Sequence, residues 1–365
     1  MRARPACFLN WSIGSDCLQP FYYQSFSSLT ISSIFSVMLS YITILYILLG
    51  IAGARKELLH RHHHASEERS SLLPSLSIPL ELLQVYRLIW HDEFDYSPYQ
   101  NLPSSENWIF DLGTKYPVDG APPNWGNNEA EMYTNSPENV HVTSSSTLAI
   151  TPRLSSNGTW TSARLETQRA DFAAAPGGRL YIESRLRTGC APSDRQQGIW
   201  PAFWALGADF RPDYTGWPAV SEWDFLEVVN GLPTVYNTLH CGYAPGGPCN
   251  EYNGLGNGGV EWSGCDWHTI GFEVDRSVAA YQEANAWKKE TISWYLDGKK
   301  SFEISGSKFN DSATWEPIAH NGHFLMLNVA VGGNWPGQPN ATTLDGEAVQ
   351  MEIDYIRVWE SYRWA

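Results

Sequence analysis

Three carboxylates lie close together in the run Ser221-Glu222-Trp223-Asp224-Phe225-Leu226-Glu227-Val228-Val229. Aromatic and β-branched residues surround them with no Gly or Pro between, which predicts a strand. Side chains alternate along a strand, so Glu222 and Asp224 share a face. Glu227 stands an odd step further on and would point the other way. A β-bulge near Phe225-Leu226 is needed to bring it back. Like charges repel, and desolvation sharpens the repulsion, so stability explains such a row poorly. A solvated edge strand is the bland alternative, and the apolar, Trp-rich flanks weigh against it. The chemistry that wants paired carboxylates is glycoside cleavage, one as nucleophile and the other as general acid/base. In retaining enzymes the pair is held about 5–5.5 Å apart. Asp224, between them, would orient Glu222 and help keep the pKa values of the two Glu apart.

The elements positioning these acids read as strands. Residues 85–94 alternate, with Trp90 and Phe94 as anchors, and short alternating runs recur at 147–151, 179–186, 291–296 and 351–359. Gly, Pro, Asn and Ser punctuate them, and no segment carries a sustained helical stripe. The expectation is an all-β sandwich or barrel. Residues 235–240 read as the strand beside the acids, with His240 facing them in step with Thr238. Trp200 and Trp204, four apart, fall on one strand face about 13 Å apart, as core residues or as platforms for sugar rings. Pro201 between them argues for a strand start or edge.

The formal net charge of −15 argues against nucleic acid as a partner. The 17 Trp and 18 Tyr suit stacking on sugars, although many belong to a core. With 365 residues, one large domain over 85–362 with N-terminal extensions is expected, acting as a monomer. Residues 29–54 are uncharged and mostly apolar, long enough to span a bilayer. The leader, 1–54, reads as a signal peptide cut after Ala54, with Met38 as a candidate true start, or alternatively as a membrane anchor. Residues 55–84 read as a linker or propeptide whose His60–His64 stretch is a solvated tract. Cys190, Cys241, Cys249 and Cys265 allow three pairings, and two disulfides are expected, with Cys241–Cys249 attractive across a short Gly-Pro loop. No Cys-x-x-Cys spacing suggests zinc. Three sequons, at Asn157, Asn310 and Asn340, fit secretion to the cell exterior or wall.

The Glu-x-Asp-x-x-Glu motif, with Gly198-Ile199-Trp200-Pro201-Ala202-Phe203-Trp204-Ala205-Leu206-Gly207 and Gly216-Trp217-Pro218 before it, resembles glycoside hydrolase family 16. More narrowly it is similar to the fungal endo-1,3(4)-β-glucanases and laminarinases. Trp90-His91-Asp92-Glu93-Phe94 and Thr161-Ser162-Ala163-Arg164 match further family segments, and Trp160 and Trp223 depart from them. The resemblance implies a β-jelly roll of two curved antiparallel sheets, with a substrate cleft across the concave one. It also implies a retaining endo-β-glucanase acting on β-1,3 or mixed β-1,3/1,4 glucans, with Glu222 as nucleophile and Glu227 as acid/base. A cell-wall transglycosylase and a non-enzymatic glucan-binding protein are the alternatives. Among substrate contacts it implies Trp125 and Asn127 on the glycone side, with Arg164, Trp200, Trp204, His240 and Trp335. No cofactor is implied. Some members hold a structural calcium, for which Glu93 and Asp354 would be the candidates here.

Overall fold

The structure, a computed structural model, describes residues 86–96, 101–278, 283 and 285–362. The leader, the possible membrane tether and the linker lie outside them. Two eight-stranded antiparallel sheets face each other, as the alternating runs predict. In the sheet bearing the acids, the order is Leu255–Gly256, Thr234–His240, Glu222–Glu227, Ile199–Gly207, His323–Val331, Arg164–Thr167 and Trp108–Asp111, with Val260–Glu261 also on Thr234–His240. The second sheet runs Lys299–Ser305, Thr291–Leu296, His268–Asp275, Gly178–Arg187, Met351–Tyr362, Leu148–Ile150 and Val140–Val142, with Tyr86–Asp92 on Met351–Tyr362. This is the jelly-roll sandwich expected.

The core between the sheets is aromatic. Trp223 and Phe225, on the face of the acid strand opposite Glu222 and Asp224, lie 4.7 and 4.9 Å in ring-centroid distance from Phe272 of the second sheet. Trp294 packs on Phe272 in turn, and its indole N–H donates to the Asp224 carbonyl at 2.8 Å. That bond ties the second sheet to the backbone of the acid strand. Each such fully buried side chain contributes about 2–3 kcal/mol of transfer free energy. Trp223, the departure in the motif, points into this core and stacks on His323, away from the acids.

Two local features escape the sequence reading. Ile199–Gly207 runs through Pro201 although it is a central strand. The Pro201 carbonyl accepts from Val228 N, beyond the last residue of the acid strand, so the missing N–H falls where that ladder ends. An α-helix, Ser312–Ala319, is capped by Asp311, whose side chain accepts from Thr314 N at 2.8 Å. At eight residues it is too short to display a stripe. The disulfides are Cys190–Cys265 and Cys241–Cys249.

Candidate active site

The acid strand is bulged where the acids require it. Asp224 pairs with Trp204 and Leu226 with Phe203 of the neighbouring strand, leaving Phe225 as the extra residue. On the other side the register slips between Asp224 and Glu227. Phe225 and Leu226 are therefore both buried in the core, and Glu227 returns to the face of Glu222 and Asp224.

Each Glu is held by a tryptophan. Trp217 Nε1 donates to Glu222 Oε2 at 3.0 Å, and Trp200 Nε1 donates to Glu227 Oε1 at 3.1 Å. His240 sits beside them, with Nε2 3.4 Å from Asp224 Oδ2 and 3.9 Å from Glu222 Oε1. Burial raises the pKa of Glu227 to about 7, the charge on Glu222 adds to this, and His240 and the Trp200 hydrogen bond oppose it. Glu222 is raised by burial too, against the pull of His240 and the Trp217 N–H. Asp224, buried and flanked by Glu222, Glu227 and Glu251, is pushed well above the usual carboxylate range. The arrangement can thus keep Glu227 protonated near neutral pH beside Glu222, whose anion His240 and Trp217 support against burial, the pairing that acid/base work requires.

Glu251 is the feature that the sequence did not disclose. Its side chain is fully buried; Oε2 lies 2.7 Å from His240 Nδ1, and Oε1 accepts from Cys241 N at 2.8 Å. Burial alone would lower the pKa of His240, but Glu251, Glu222 and Glu227 together raise it to about 8. Gly254 makes room for this ring: a Cβ there would stand 2.9 Å from His240 Cε1 and 2.4 Å from Thr238 Cγ2. An isolated Glu eleven residues after a His carries no spacing signal.

The remaining expected residues divide. Trp335 is 46% exposed and packs edge-on to Trp200 and Tyr236 at 5.6 and 5.1 Å, forming an aromatic rim at the Glu227 end. Trp204 is half-buried, its N–H donating to Asn328 Oδ1 at 2.8 Å; Asn328 Nδ2 donates to the Tyr133 hydroxyl, which donates to Glu129 Oε2. Asn127 donates to Glu129 Oε1 at 3.3 Å. Trp125 is buried, and its indole N–H has no hydrogen-bond partner among the described residues. Asn124 and Trp125 both adopt left-handed backbone, φ +51° and +53°, a strained conformation for such residues.

Arg164, expected among the substrate contacts, is instead buried in an ion pair. It is 5% exposed, donates to Asp111 at 3.0 Å and to the Tyr116 hydroxyl, and lies under the Trp125 and Trp204 rings at 4.7 and 4.8 Å. It therefore supports the aromatic floor instead of reaching sugar hydroxyls through open solvent. Glu93 and Asp354 do not fit a calcium site. Both Glu93 oxygens accept from Arg357 at 2.7 Å, and Asp354 Oδ2 accepts from Arg185 at 2.7 Å, so arginines take three of the four oxygens a cation would need. Among the described residues, Glu222, Asp224 and His240 bring ligand atoms within 4.8 Å of one another, a set that the acid chemistry already employs.

No protein-family model matches the chain. Over 290 residues it is 32% identical to a β-glucanase from Rhodothermus marinus, covering 76% of this chain and 86% of that protein. The solved endo-1,3-β-glucanase from Streptomyces sioyaensis superposes with a TM-score of 0.70 at 37% identity, over 80% of this chain and all of that one. A non-specific endo-β-1,3(4)-glucanase of family GH16 superposes at 0.55 with 27% identity, over 78% and 93%. Bacterial examples dominate such relatives, so the likeness carries the family and not its fungal branch.

Proposed function

Because the chain belongs to the β-glucanase (laminarinase) family of the glycoside hydrolase family 16 type, we propose that it cleaves internal β-1,3 or mixed β-1,3/1,4 bonds of glucans with retention of configuration. The observation that carries this reading is the bulge at Phe225, which puts Glu227 on the face of Glu222. The two are close enough for the charge on Glu222 to raise the cost of ionising Glu227.

In the first step Glu222, favoured as its anion by the Trp217 N–H and the His240 charge, attacks the anomeric carbon. Glu227, protonated below about pH 7, gives its proton to the leaving glycosidic oxygen as the C–O bond breaks. In the second step the Glu227 carboxylate takes a proton from water, the hydroxide adds to the anomeric carbon, and Glu222 departs. Protonated Asp224 steadies the charge on Glu222 throughout. Trp200, Trp204, Trp335 and Trp125 offer the aromatic faces along which a neutral polysaccharide lies, and Arg164 fixes two of them from beneath. A polymer of this size is met outside the cell. The two disulfides agree with a secreted or cell-wall enzyme, or with one tethered there through residues 29–54.

The test is digestion of laminarin, lichenan, barley β-glucan and agarose by the full chain beside its Glu222→Gln variant. Short glucan products from the wild type, and a loss of several orders of magnitude in the variant, are expected. Equal activity in the variant overturns the assignment of the nucleophile.

A further inference from the structure

Tyr252 is 67% exposed, one of the two most exposed aromatic rings among the described residues, yet it is not on a loose segment. The loop just before it is closed by Cys241–Cys249, and Gly246 and Glu251 exchange backbone hydrogen bonds. The buried Glu251 side chain, immediately before Tyr252, is fixed to Cys241 N and His240. Exposure of a single ring is ordinary on a protein surface, but this one is held on a fixed support with one face packed and the other open, ready to take a ligand at little entropic cost.

Its other face shows which ligand. Tyr252 stacks on Trp217 with a centroid separation of 6.1 Å and planes 16° apart. Trp217 donates to Glu222 and packs on His240. A continuous aromatic path therefore leads from Glu222 to a ring whose outer face meets solvent. The sheet order gives the side. Thr234–His240 and Leu255–Gly256, the strands that bracket this loop, lie on one side of the acid strand. Trp204, Asn328 and Arg164, with Trp125 against Arg164, lie on the other. If the glycone occupies the Trp125 side, as family resemblance implies, Tyr252 stands on the side of the leaving sugar.

We propose that Tyr252 is a subsite on the leaving-group side of the cleft, binding a β-glucan glucosyl unit by stacking against its C–H face. A neutral ring suits a neutral polysaccharide, and the Trp217 stack fixes the ring before the sugar arrives, so little freedom is lost on binding. The proposal rests on the cleft reading above and deepens it.

The test compares two substrates. Laminarin fills the leaving side with sugar, whereas a β-laminaribiosyl fluoride leaves that side empty because only fluoride departs. In Tyr252→Ala, kcat/KM on laminarin is expected to fall about five-fold, the size of one ring contact, while fluoride release stays within about two-fold of wild type. Tyr252→Phe, which keeps the ring, should retain activity on both. An unchanged laminarin rate in Tyr252→Ala overturns the proposal, and so does an equal loss on the fluoride. Wild type inert toward both substrates would instead sink the glucanase reading on which the subsite depends.

Discussion

His240 is held between two acidic side chains, with Nδ1 2.7 Å from Glu251 Oε2 and Nε2 3.4 Å from Asp224 Oδ2. The first contact fixes which nitrogen faces the acids. It also keeps the ring charged, since His240 is raised to about 8 against the effect of its burial. That charge in turn draws down both Glu222 and Glu227. A residue remote in sequence from the motif thus sets the charge beside the nucleophile.

Replacing Glu251 by Gln removes an anion and a hydrogen-bond acceptor of charge, so the pKa of His240 should fall. NMR titration of the imidazole reads this directly. With the ring neutral at pH 7, kcat should drop about ten-fold with KM little changed. A His240 titration that does not move would contradict this role.

Trp200 and Trp217 should control opposite limbs of the pH profile. The Trp200 N–H favours ionised Glu227, so Trp200→Phe raises the pKa of Glu227 above about 7 and carries the alkaline limb upward. The Trp217 N–H favours ionised Glu222, so Trp217→Phe raises that pKa and carries the acid limb upward, narrowing the profile. The pH dependence of kcat/KM checks both signs. Movement of either limb downward is the contrary result.

Arg164 is the buried cation of a charged floor. Asp111 pairs with it at 3.0 Å, the guanidinium favouring the Asp111 anion against burial and the nearby Glu166, and Arg211 pairs with Glu166 alongside. Arg164→Met leaves Asp111 buried without its partner and should cost about 3–5 kcal/mol in urea unfolding. Adding Asp111→Asn should recover part of the loss. A cost below about 1 kcal/mol would mean that the ion pair is not what holds the floor together.

The two disulfides should separate stability from activity. Cys190–Cys265 closes a 75-residue separation, and its double Ser variant should lose about 2–5 kcal/mol with little change in kcat. Cys241–Cys249 spans only eight residues, but Cys241 N anchors Glu251. Its double Ser variant should lose kcat in proportion to the fall in the pKa of His240. Equal behaviour of the two variants in both assays would deny the distinction.

Much of this was legible in the residues. Alternation marks the strands, and the odd step from Asp224 to Glu227 demands a bulge that the register supplies at Phe225. His240 reaches the acids because it pairs with Glu222 on the adjacent strand, and Trp200 because it stands two residues from Ala202, the partner of Glu227, where period-two reasoning works. What failed to show was set by loops or by burial. Glu251 and Tyr252 come to the cleft just after a disulfide-closed turn, whose path no periodicity encodes. Arg164 reads equally well as a sugar ligand or an ion pair until the position of Asp111 opposite it is known. Glu93 and Asp354 look like free carboxylates in sequence, because the arginines that occupy them are distant along the chain.

The central claim is double displacement through Glu222 and Glu227. It is tested most directly by proton NMR of laminari-oligosaccharide cleavage, following the anomeric signal of the newly freed reducing end from the first turnovers. The β-anomer appearing first, with α growing in only by mutarotation, is the predicted result. The α-anomer appearing first would mean direct attack by water and would contradict the role given to Glu222.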